Sequence, residues 1–410
     1  MSITSSVRHA ELGDLVARLN DQQAAKLDVL APASALRASD GLLELSGVEP
    51  VLDERGFTPV DGLYRPTAAA DSHLGSKLKI PAGYLKWLRQ EQRTDLYDAN
   101  VNGLLHGPLD PRLPGGPDER SFLLRLFTSG NPNEPGLLRA VLSDRYGIID
   151  NLDVLTAVLE GIRAADTDIK VRSCDLSDTS MHCKVYSPKI RALAPTFLAN
   201  YRNPFANPDL EAERRRAAGQ IESGRRMAAR DGQGYRPGTE PVVFAGLRFS
   251  NSEIGHHAVT IKPELLVQIC GNGLTLPLFA FTKRHVGDRL EVGGTWSQDT
   301  QRKRLAVITA ETRDKVSEWM SPDFLAARVA DLERHAATPV NQPERTLEVM
   351  SKKLGFTENE RSGILSHFIA GGQLTAAGIA NAVTSYSQTI PDPDRADNLD
   401  DLALTAMTLV

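Results

Sequence analysis

Two adjacent histidines and a cysteine draw attention to residues 249–274, FSNSEIGHHAVTIKPELLVQICGNGL. Imidazole and thiolate groups bind Zn²⁺, and the same groups serve as base and nucleophile in covalent catalysis. Adjacent residues of a strand point to opposite faces, however, so His256 and His257 could not share one metal ion there. The sequence also has no CxxC, HxxxH or HExxH spacing. We therefore expect neither a metal ion nor another cofactor.

The three cysteines predict packing rather than catalysis. Cys174 and the His182-Cys183 pair lie on strands that we expect to face each other, so these side chains can approach one another. Cys270 ends the apolar run LLVQIC before a Gly-Asn-Gly turn, a place where burial explains a small apolar residue. The chain also lacks the GxGxxG and GxxxxGK[ST] nucleotide motifs. We expect a non-catalytic protein, and the odd cysteine count favours a reducing cytoplasm.

The segment Asn251-Ser252-Glu253-Ile254-Gly255 predicts a tight loop between two strands. Asn and Ser side chains can hydrogen-bond a turning backbone, and Gly tolerates a positive φ. This pattern favours a structural corner over a ligand site. An enzyme that uses Glu253, His256 and Asn272 at this corner stays open as a less favoured alternative.

Clusters of basic residues give the better functional prediction. Residues 168–304 carry 21 Lys and Arg against 14 Asp and Glu, whereas residues 331–410 carry 6 against 11. A basic middle favours an anionic partner such as nucleic acid, whose phosphates need charge but no base code. The candidate phosphate-binding residues are Arg214, Arg215, Arg216, Arg225, Arg226, Arg230, Lys283, Arg284, Arg302, Lys303 and Arg304.

Aromatic and acidic residues complete this hypothesis. Tyr201, Phe205 and Tyr235 are candidates for stacking bases, as binders of single strands require. We expect the acidic tail to cover the basic groove when it is empty; its members are Asp392, Asp394, Asp397, Asp400 and Asp401. The alternative is a solvated loop whose charge is partly neutralised by Glu211, Glu213 and Glu222.

Hydrophobic spacing predicts the elements that position these residues. An amphipathic helix is expected at 8–29, and three short helices before residue 105. Strands are expected at 42–46, 57–66, 121–127, 137–143, 168–176, 181–187, 241–251, 256–262 and 274–283. A helix at 152–164 precedes the two hairpins, and a long helix follows from Ser297. Thr357 and Glu360 form a capping box in a helical C-terminal region.

The chain is therefore predicted to be an α+β protein with a mostly antiparallel central sheet, N-terminal helices and a C-terminal helical bundle. Its 410 residues suggest three regions: 1–120, 121–320 with a mobile Arg-rich insertion at 201–240, and 321–410 with the acidic tail. No run of 18 apolar residues occurs, so we expect no membrane segment.

Several segments resemble the phage/plasmid-like protein family (domain of unknown function 932). They are SKLKIPAGYL with NVNGLL (76–105), RAVLSDRYGIIDN (139–151), RFSNSEIGHHAV with ICGNGL (248–274) and NAVTSYSQ (381–388). The family positions, whose role the resemblance leaves open, are Arg145, Tyr146, Asn151, Asn251, Ser252, Gly255, His256, Asn272 and Gly273. The resemblance implies a mobile genetic element, of phage or plasmid type, and no activity.

The order of helix, four strands and long helix is also similar to the core of single-strand annealing proteins of the phage recombinase type. Such proteins assemble into rings or filaments, so a homo-oligomer is compatible with this resemblance. The leading hypothesis is a DNA-binding, non-catalytic cytoplasmic protein that acts on single-stranded DNA in recombination or replication. The alternative is a structural or host-interaction protein of the mobile element with no nucleic-acid role.

Overall fold

The computed structural model describes residues 6–53, 56–81, 83–108, 112, 114–131, 134–218, 240–285 and 298–410. The strands are β1 (Val7–Ala10), β2 (Lys26–Pro32), β3 (Leu36–Ser39), β4 (Leu42–Leu45), β5 (Val51–Asp53), β6 (Gly56–Thr58), β7 (Gly62–Pro66), β8 (Ser121–Phe127), β9 (Gly136–Ser143), β10 (Lys170–Leu176), β11 (Met181–Leu193), β12 (Val242–Asn251), β13 (Val259–Val267), β14 (Gly273–Thr275) and β15 (Phe281–Lys283). The helices are α1 (Leu12–Ala25), α2 (Ala68–Leu78), α3 (Tyr84–Gln90), α4 (Thr94–His106), α5 (Asn151–Ala164), α6 (Pro208–Ala217), α7 (Gln298–Trp319), α8 (Pro322–Ala336), α9 (Pro343–Leu354), α10 (Glu358–Gly371), α11 (Ala376–Ser387) and α12 (Pro393–Thr408). The predicted α+β class is confirmed.

The smaller of the two main sheets is built by the first third of the chain. Its strand order is β2-β8-β9-β7-β4-β3, and every pair is antiparallel except β7 with β9. Apolar residues of α2, α3 and α4 share a buried core with this sheet. The predicted boundary at residue 120 falls inside this unit, because β8 pairs with β2 along its whole length. A pattern of strands does not reveal which sheet each strand joins.

The larger sheet has the order β1-β10-β11-β12-β13-β14, with β15 pairing beside β13. The two predicted hairpins form its centre, and all its pairs are antiparallel. Cys174 and Cys183 are opposite each other in β10 and β11, and both are buried free thiols. They belong to the main hydrophobic core, to which α1, α5 and α7 also contribute.

Several element predictions are wrong at their ends. The helix predicted at 8–29 is only α1, because β1 and β2 on either side are recruited into two different sheets. The strand predicted at 274–283 is split into β14 and β15 by a short 3-10 helix at Pro277–Phe279. His256 and His257 lie in the loop between β12 and β13, not in a strand. Tertiary pairing, which local spacing does not encode, decides each of these cases.

The C-terminal region is helical, as predicted. Thr357 caps α10 through the expected capping box, in which its side chain accepts from the amide of Glu360 and the Glu360 side chain accepts from the amide of Thr357. Helices α11 and α12 contribute fully buried residues, such as Ile379 and Leu399, to the main core. No helix among the described residues is long and apolar enough to cross a bilayer.

Candidate functional site

The loop between β12 and β13 joins the two sheets. The Tyr146 hydroxyl, close to the end of β9, donates to the carbonyl of Ser252 at 3.1 Å. Asn251 donates to the carbonyl of Ile149 and to the side chain of Asn151, at 3.1 and 2.9 Å. A Cβ at Gly255, whose φ is +77°, would lie 3.2 Å from the Tyr146 ring. The structure therefore brings five of the family positions together at this contact between the two sheets.

Buried charged side chains also stabilise this contact. Arg125 of β8 is fully buried and donates to Asp28, to Asp150 at 2.5 Å, and to the carbonyl of Glu253 at 2.7 Å. The Glu253 carboxylate accepts from Arg139 at 2.7 Å and from the amide of Asn151 at 2.8 Å. Since every partner is internal, Glu253 is held in a structural role.

Two of the remaining four family positions, Asn272 and Gly273, lie elsewhere. The Asn272 side chain donates to the Tyr201 hydroxyl at 3.0 Å and to the carbonyl of Asn381 at 3.1 Å. Glu253 and Asn272 lie beyond opposite ends of β13, a strand of 9 residues. The strand rises about 3.3 Å per residue, so the alternative site of Glu253, His256 and Asn272 is not formed.

Cys270 is not placed as a nucleophile either. It is buried, with its sulfur 3.4 Å from the Tyr201 hydroxyl. Burial raises the pKa of the Cys270 thiol to about 11, so the thiolate that nucleophilic attack requires is scarce at neutral pH.

A row of three cations crosses the face of the larger sheet that α12 covers. Lys184 of β11 is opposite Arg248 of β12, which is opposite Lys262 of β13. All three are buried, Arg248 completely. Like charges directly opposite each other in a sheet are destabilising, so this row needs anions close by. We call Lys184, Arg248 and Lys262 the covered cation row.

Helix α12 supplies those anions from the predicted acidic tail. Arg248 donates to Asp397 and Asp400, both at 2.5 Å, and to Glu264 of β13 at 3.0 Å. Lys262 contacts Asp397 at 3.1 Å and Asp401 at 2.7 Å. Lys184 lies 3.3 Å from Asp400. The acidic tail thus covers cations of the sheet itself, not the arginine clusters that the sequence singled out.

The cations of this layer hold two of its carboxylates in the charged form. Burial alone would raise the pKa of the Asp397 carboxyl, but Arg248 and His182 outweigh it and hold that pKa well below its usual range. The pKa of Asp400 is likewise lowered, because Lys184 and Arg248 outweigh its burial. Burial and the neighbouring Arg248 lower the pKa of Lys184. Helix α12 also buries Leu399 and Ala403 completely, so its removal would expose apolar surface as well as charge.

A second set of cations is exposed. The Tyr146 and His285 rings stack with centroids 5.2 Å apart, and the amide of Gly147 donates to the carbonyl of His285 at 3.2 Å. Arg145 and Arg284 each precede one of the stacked residues, and both are exposed. Lys283 is half-exposed and lies 3.8 Å from Glu311 of α7. We call Arg145, Lys283 and Arg284 the basic edge.

The arginines of α6 are not equivalent. Arg214 is only 17% exposed, pairs with Glu211 at 2.6 Å and lies over the buried Phe205 ring at 4.3 Å. Arg215 also pairs with Glu211 but is 64% exposed, and Arg216 is exposed. Tyr201 and Phe205 are buried, so neither offers a free face for a base. Arg225, Arg226, Arg230, Glu222 and Tyr235 lie outside the described residues, as do the side chains of Arg302 and Arg304.

One group of possible metal ligands occurs within the described part of the chain. A nitrogen of His182, a nitrogen of His257 and an oxygen of Asp394 all lie within 4.8 Å of one another. They come from β11, the loop between β12 and β13, and the first turn of α12. Burial would lower the pKa of His182, but Asp397 and Asp394 outweigh it and raise that pKa to about 9.

Sequence reasoning missed both the covered cation row and the histidine group. Lys184, Arg248 and Lys262 alternate with apolar residues, a pattern that normally indicates a face turned to solvent. The spacing of Asp394, Asp397, Asp400 and Asp401 does place these carboxylates on one helix face. No local motif connects residues 182, 257 and 394, since 75 and 137 positions separate them.

Comparisons with known proteins do not assign the chain to a family. No family model matches the chain, and neither do any curated protein or solved structure.

Proposed function

We propose that this chain is a non-catalytic nucleic-acid-binding protein of a phage or plasmid-like element, acting on single-stranded DNA in recombination or replication. The observation that carries the proposal is the basic edge. Its two arginines are exposed, and the stacked Tyr146 and His285 hold their backbones together. Exposed guanidinium groups on a fixed backbone suit phosphate contacts.

Two further features support this proposal. Helix α5, four consecutive antiparallel strands β10 to β13 and the long helix α7 follow the order on which the similarity to annealing proteins depends. Arg215 and Arg216 of α6 add exposed positive charge within the Arg-rich segment 201–240. In this proposal the protein works in the cytoplasm, and assembly into a ring or filament extends the contact along the strand.

The test is fluorescence anisotropy with labelled single- and double-stranded oligonucleotides across a salt series. Each phosphate contact on a single strand contributes a slope of about −0.7 to log K against log salt. The double variant Arg145→Glu with Arg284→Glu is expected to bind all sequences more weakly. Its slope should be shallower by about 1.4, because two phosphate contacts are lost.

The matched control is Arg37→Glu with Arg65→Glu, which reverses two exposed arginines of the smaller sheet. The net charge changes equally, so a loss specific to the first variant locates the contact. No binding by the unmodified protein at low salt would contradict the proposed function. Equal losses in both variants would remove the basic edge from the site.

One observation favours the alternative, a structural or host-interaction protein. Ile369 and Leu374 are 67% and 60% exposed and line a cavity of about 450 Å³ with Leu365 and Phe368. A second copy of the chain would cover such a surface in a homo-oligomer. Size-exclusion chromatography with light scattering, with and without oligonucleotide, separates the hypotheses. Assembly that is lost in Ile369→Asp, together with no binding of oligonucleotide, supports the alternative.

A further inference from the structure

We propose that His182, His257 and Asp394 form a binding site for a divalent first-row transition ion such as Zn²⁺. The three residues meet where the larger sheet, the loop between β12 and β13 and the N-terminus of α12 converge. Their potential ligand atoms lie within 4.8 Å of one another. This inference is independent of the proposed nucleic-acid function.

The hydrogen bonds of His257 leave the correct nitrogen available. Its Nδ1 lies 2.9 Å from the carbonyl oxygen of Ala258, which can only accept, so Nδ1 carries the proton. The Nε2 atom is therefore the one with a free lone pair. It is buried and has no hydrogen-bond partner among the described residues. A buried acceptor without a partner is costly, and a metal ion would relieve that cost.

The other two ligands already lie close together. Nε2 of His182 lies 2.7 Å from Asp394 Oδ1, a hydrogen-bond distance, so a bound ion takes the place of the proton between them. Nδ1 of His182 lies 3.6 Å from Asp397 Oδ1, beyond hydrogen-bond distance, and has no hydrogen-bond partner among the described residues. Thr179 donates to the other oxygen of Asp394 and fixes its carboxylate.

The ligand chemistry selects the class of ion. Two imidazoles and one carboxylate suit Zn²⁺ and related first-row ions, whereas Mg²⁺ and Ca²⁺ prefer oxygen ligands alone. Tetrahedral Zn²⁺ with bonds of 2.0–2.1 Å places its ligand atoms about 3.3 Å apart. Binding therefore draws His257 toward the His182–Asp394 pair and moves the two atoms of that pair slightly apart. Three protein ligands leave the fourth position open, and the bound ion fastens α12 to the sheet.

The experiment uses the full chain without an affinity tag, stripped of metal by chelation and dialysis. Zn²⁺ is titrated by calorimetry, and Co²⁺ binding is followed by visible absorption, which reports tetrahedral coordination. Mg²⁺ is the control ion. We expect one Zn²⁺ per chain, a higher melting temperature with Zn²⁺, and no response to Mg²⁺.

Two neighbouring histidines provide matched variants. His257→Ala is expected to weaken Zn²⁺ binding at least about tenfold, since losing even an outer partner of a metal site costs 10–100-fold. His256→Ala, an exposed residue outside the group, should bind as the unmodified protein does. The metal-free melting temperature of each variant checks that it folds, and Asp394→Asn offers a second site variant. Absence of stoichiometric Zn²⁺ binding by the unmodified protein overturns the proposal. So does a His257→Ala variant that binds Zn²⁺ as tightly as the unmodified protein, or a His256→Ala variant that loses as much affinity as His257→Ala.

Discussion

The covered cation row and the basic edge are two sets of positively charged residues, of which the first is paired inside the protein and the second is exposed. Lys184, Arg248 and Lys262 lie in register beneath α12, and each has carboxylate partners within 3.3 Å. Arg145 and Arg284 lie at the surface beside a stacked aromatic pair. The first set is balanced inside the protein, so only the second is free for an external anion.

The difference shows that a count of basic residues overstates the charge available to a partner. Three of the 21 basic residues in 168–304 lie in the covered cation row and are matched by carboxylates from residues 397–401. Burying a charge is costly unless it is paired and hydrogen-bonded, and α12 supplies that pairing. The covered cation row and its carboxylates thus bind the C-terminal helix to the sheet, whereas the basic edge faces solvent.

The largest expected effect follows from removing Arg248. The variant Arg248→Met leaves Asp397, Asp400 and Glu264 buried without their shared cation. Breaking a buried ion pair by deleting one partner costs about 3–5 kcal/mol, and we expect a loss in this range from urea unfolding. Arg284→Met, at the exposed edge, should change the free energy of unfolding by less than about 0.5 kcal/mol. Comparable stability of the two variants would mean that the covered cation row is not the anchor of α12.

A smaller loss is expected when the space beside Glu264 is filled. A Cβ at Gly273 would lie 1.8 Å from Oε1 of Glu264, which Arg248 holds in place. Gly273→Ala should therefore destabilise the protein by about 1–3 kcal/mol, as overpacking does. Gly103→Ala in α4 is the control, because its Cβ would meet nothing within 4 Å. Removing a glycine from a helix should raise stability by up to about 1 kcal/mol, and a loss as large as that of Gly273→Ala would contradict the steric explanation.

The fold was predictable from sequence where local spacing decides structure. The strand at 121–127 and the capping box of Thr357 with Glu360 occur where expected. Strand partners were not predictable, because β1 and β2 flank one helix yet join different sheets. At the corner at 249–274, Gly255 has a positive φ and Glu253 is held by internal donors, as a structural turn requires.

The candidate sites were less predictable. Arg284 was singled out by its basic neighbours, but only the fold brings Arg145 to the same edge, through the stack of Tyr146 on His285 and the hydrogen bond from Gly147 to His285. Arg248 gave no signal, since an isolated arginine in a strand normally indicates a solvent-facing side chain. Its partners in α12, Asp397 and Asp400, are 149 and 152 residues away, so pairing of this kind becomes visible only after the chain has folded.

The smallest expected effects distinguish the three arginines of α6. Arg214→Ala removes an ion pair with Glu211 and the contact with the Phe205 ring, and should cost about 1 kcal/mol. Arg215→Ala removes only an exposed pair and should cost less than about 0.5 kcal/mol. Thermal unfolding of both variants measures the difference. Equal destabilisation by Arg214→Ala and Arg215→Ala would show that the Phe205 contact contributes nothing.

A binding measurement tests the two exposed arginines of α6. In the anisotropy assay, Arg215→Glu with Arg216→Glu should flatten the salt slope without loss of stability if α6 adjoins the strand-binding surface. An unchanged salt slope would confine the phosphate contacts to the basic edge.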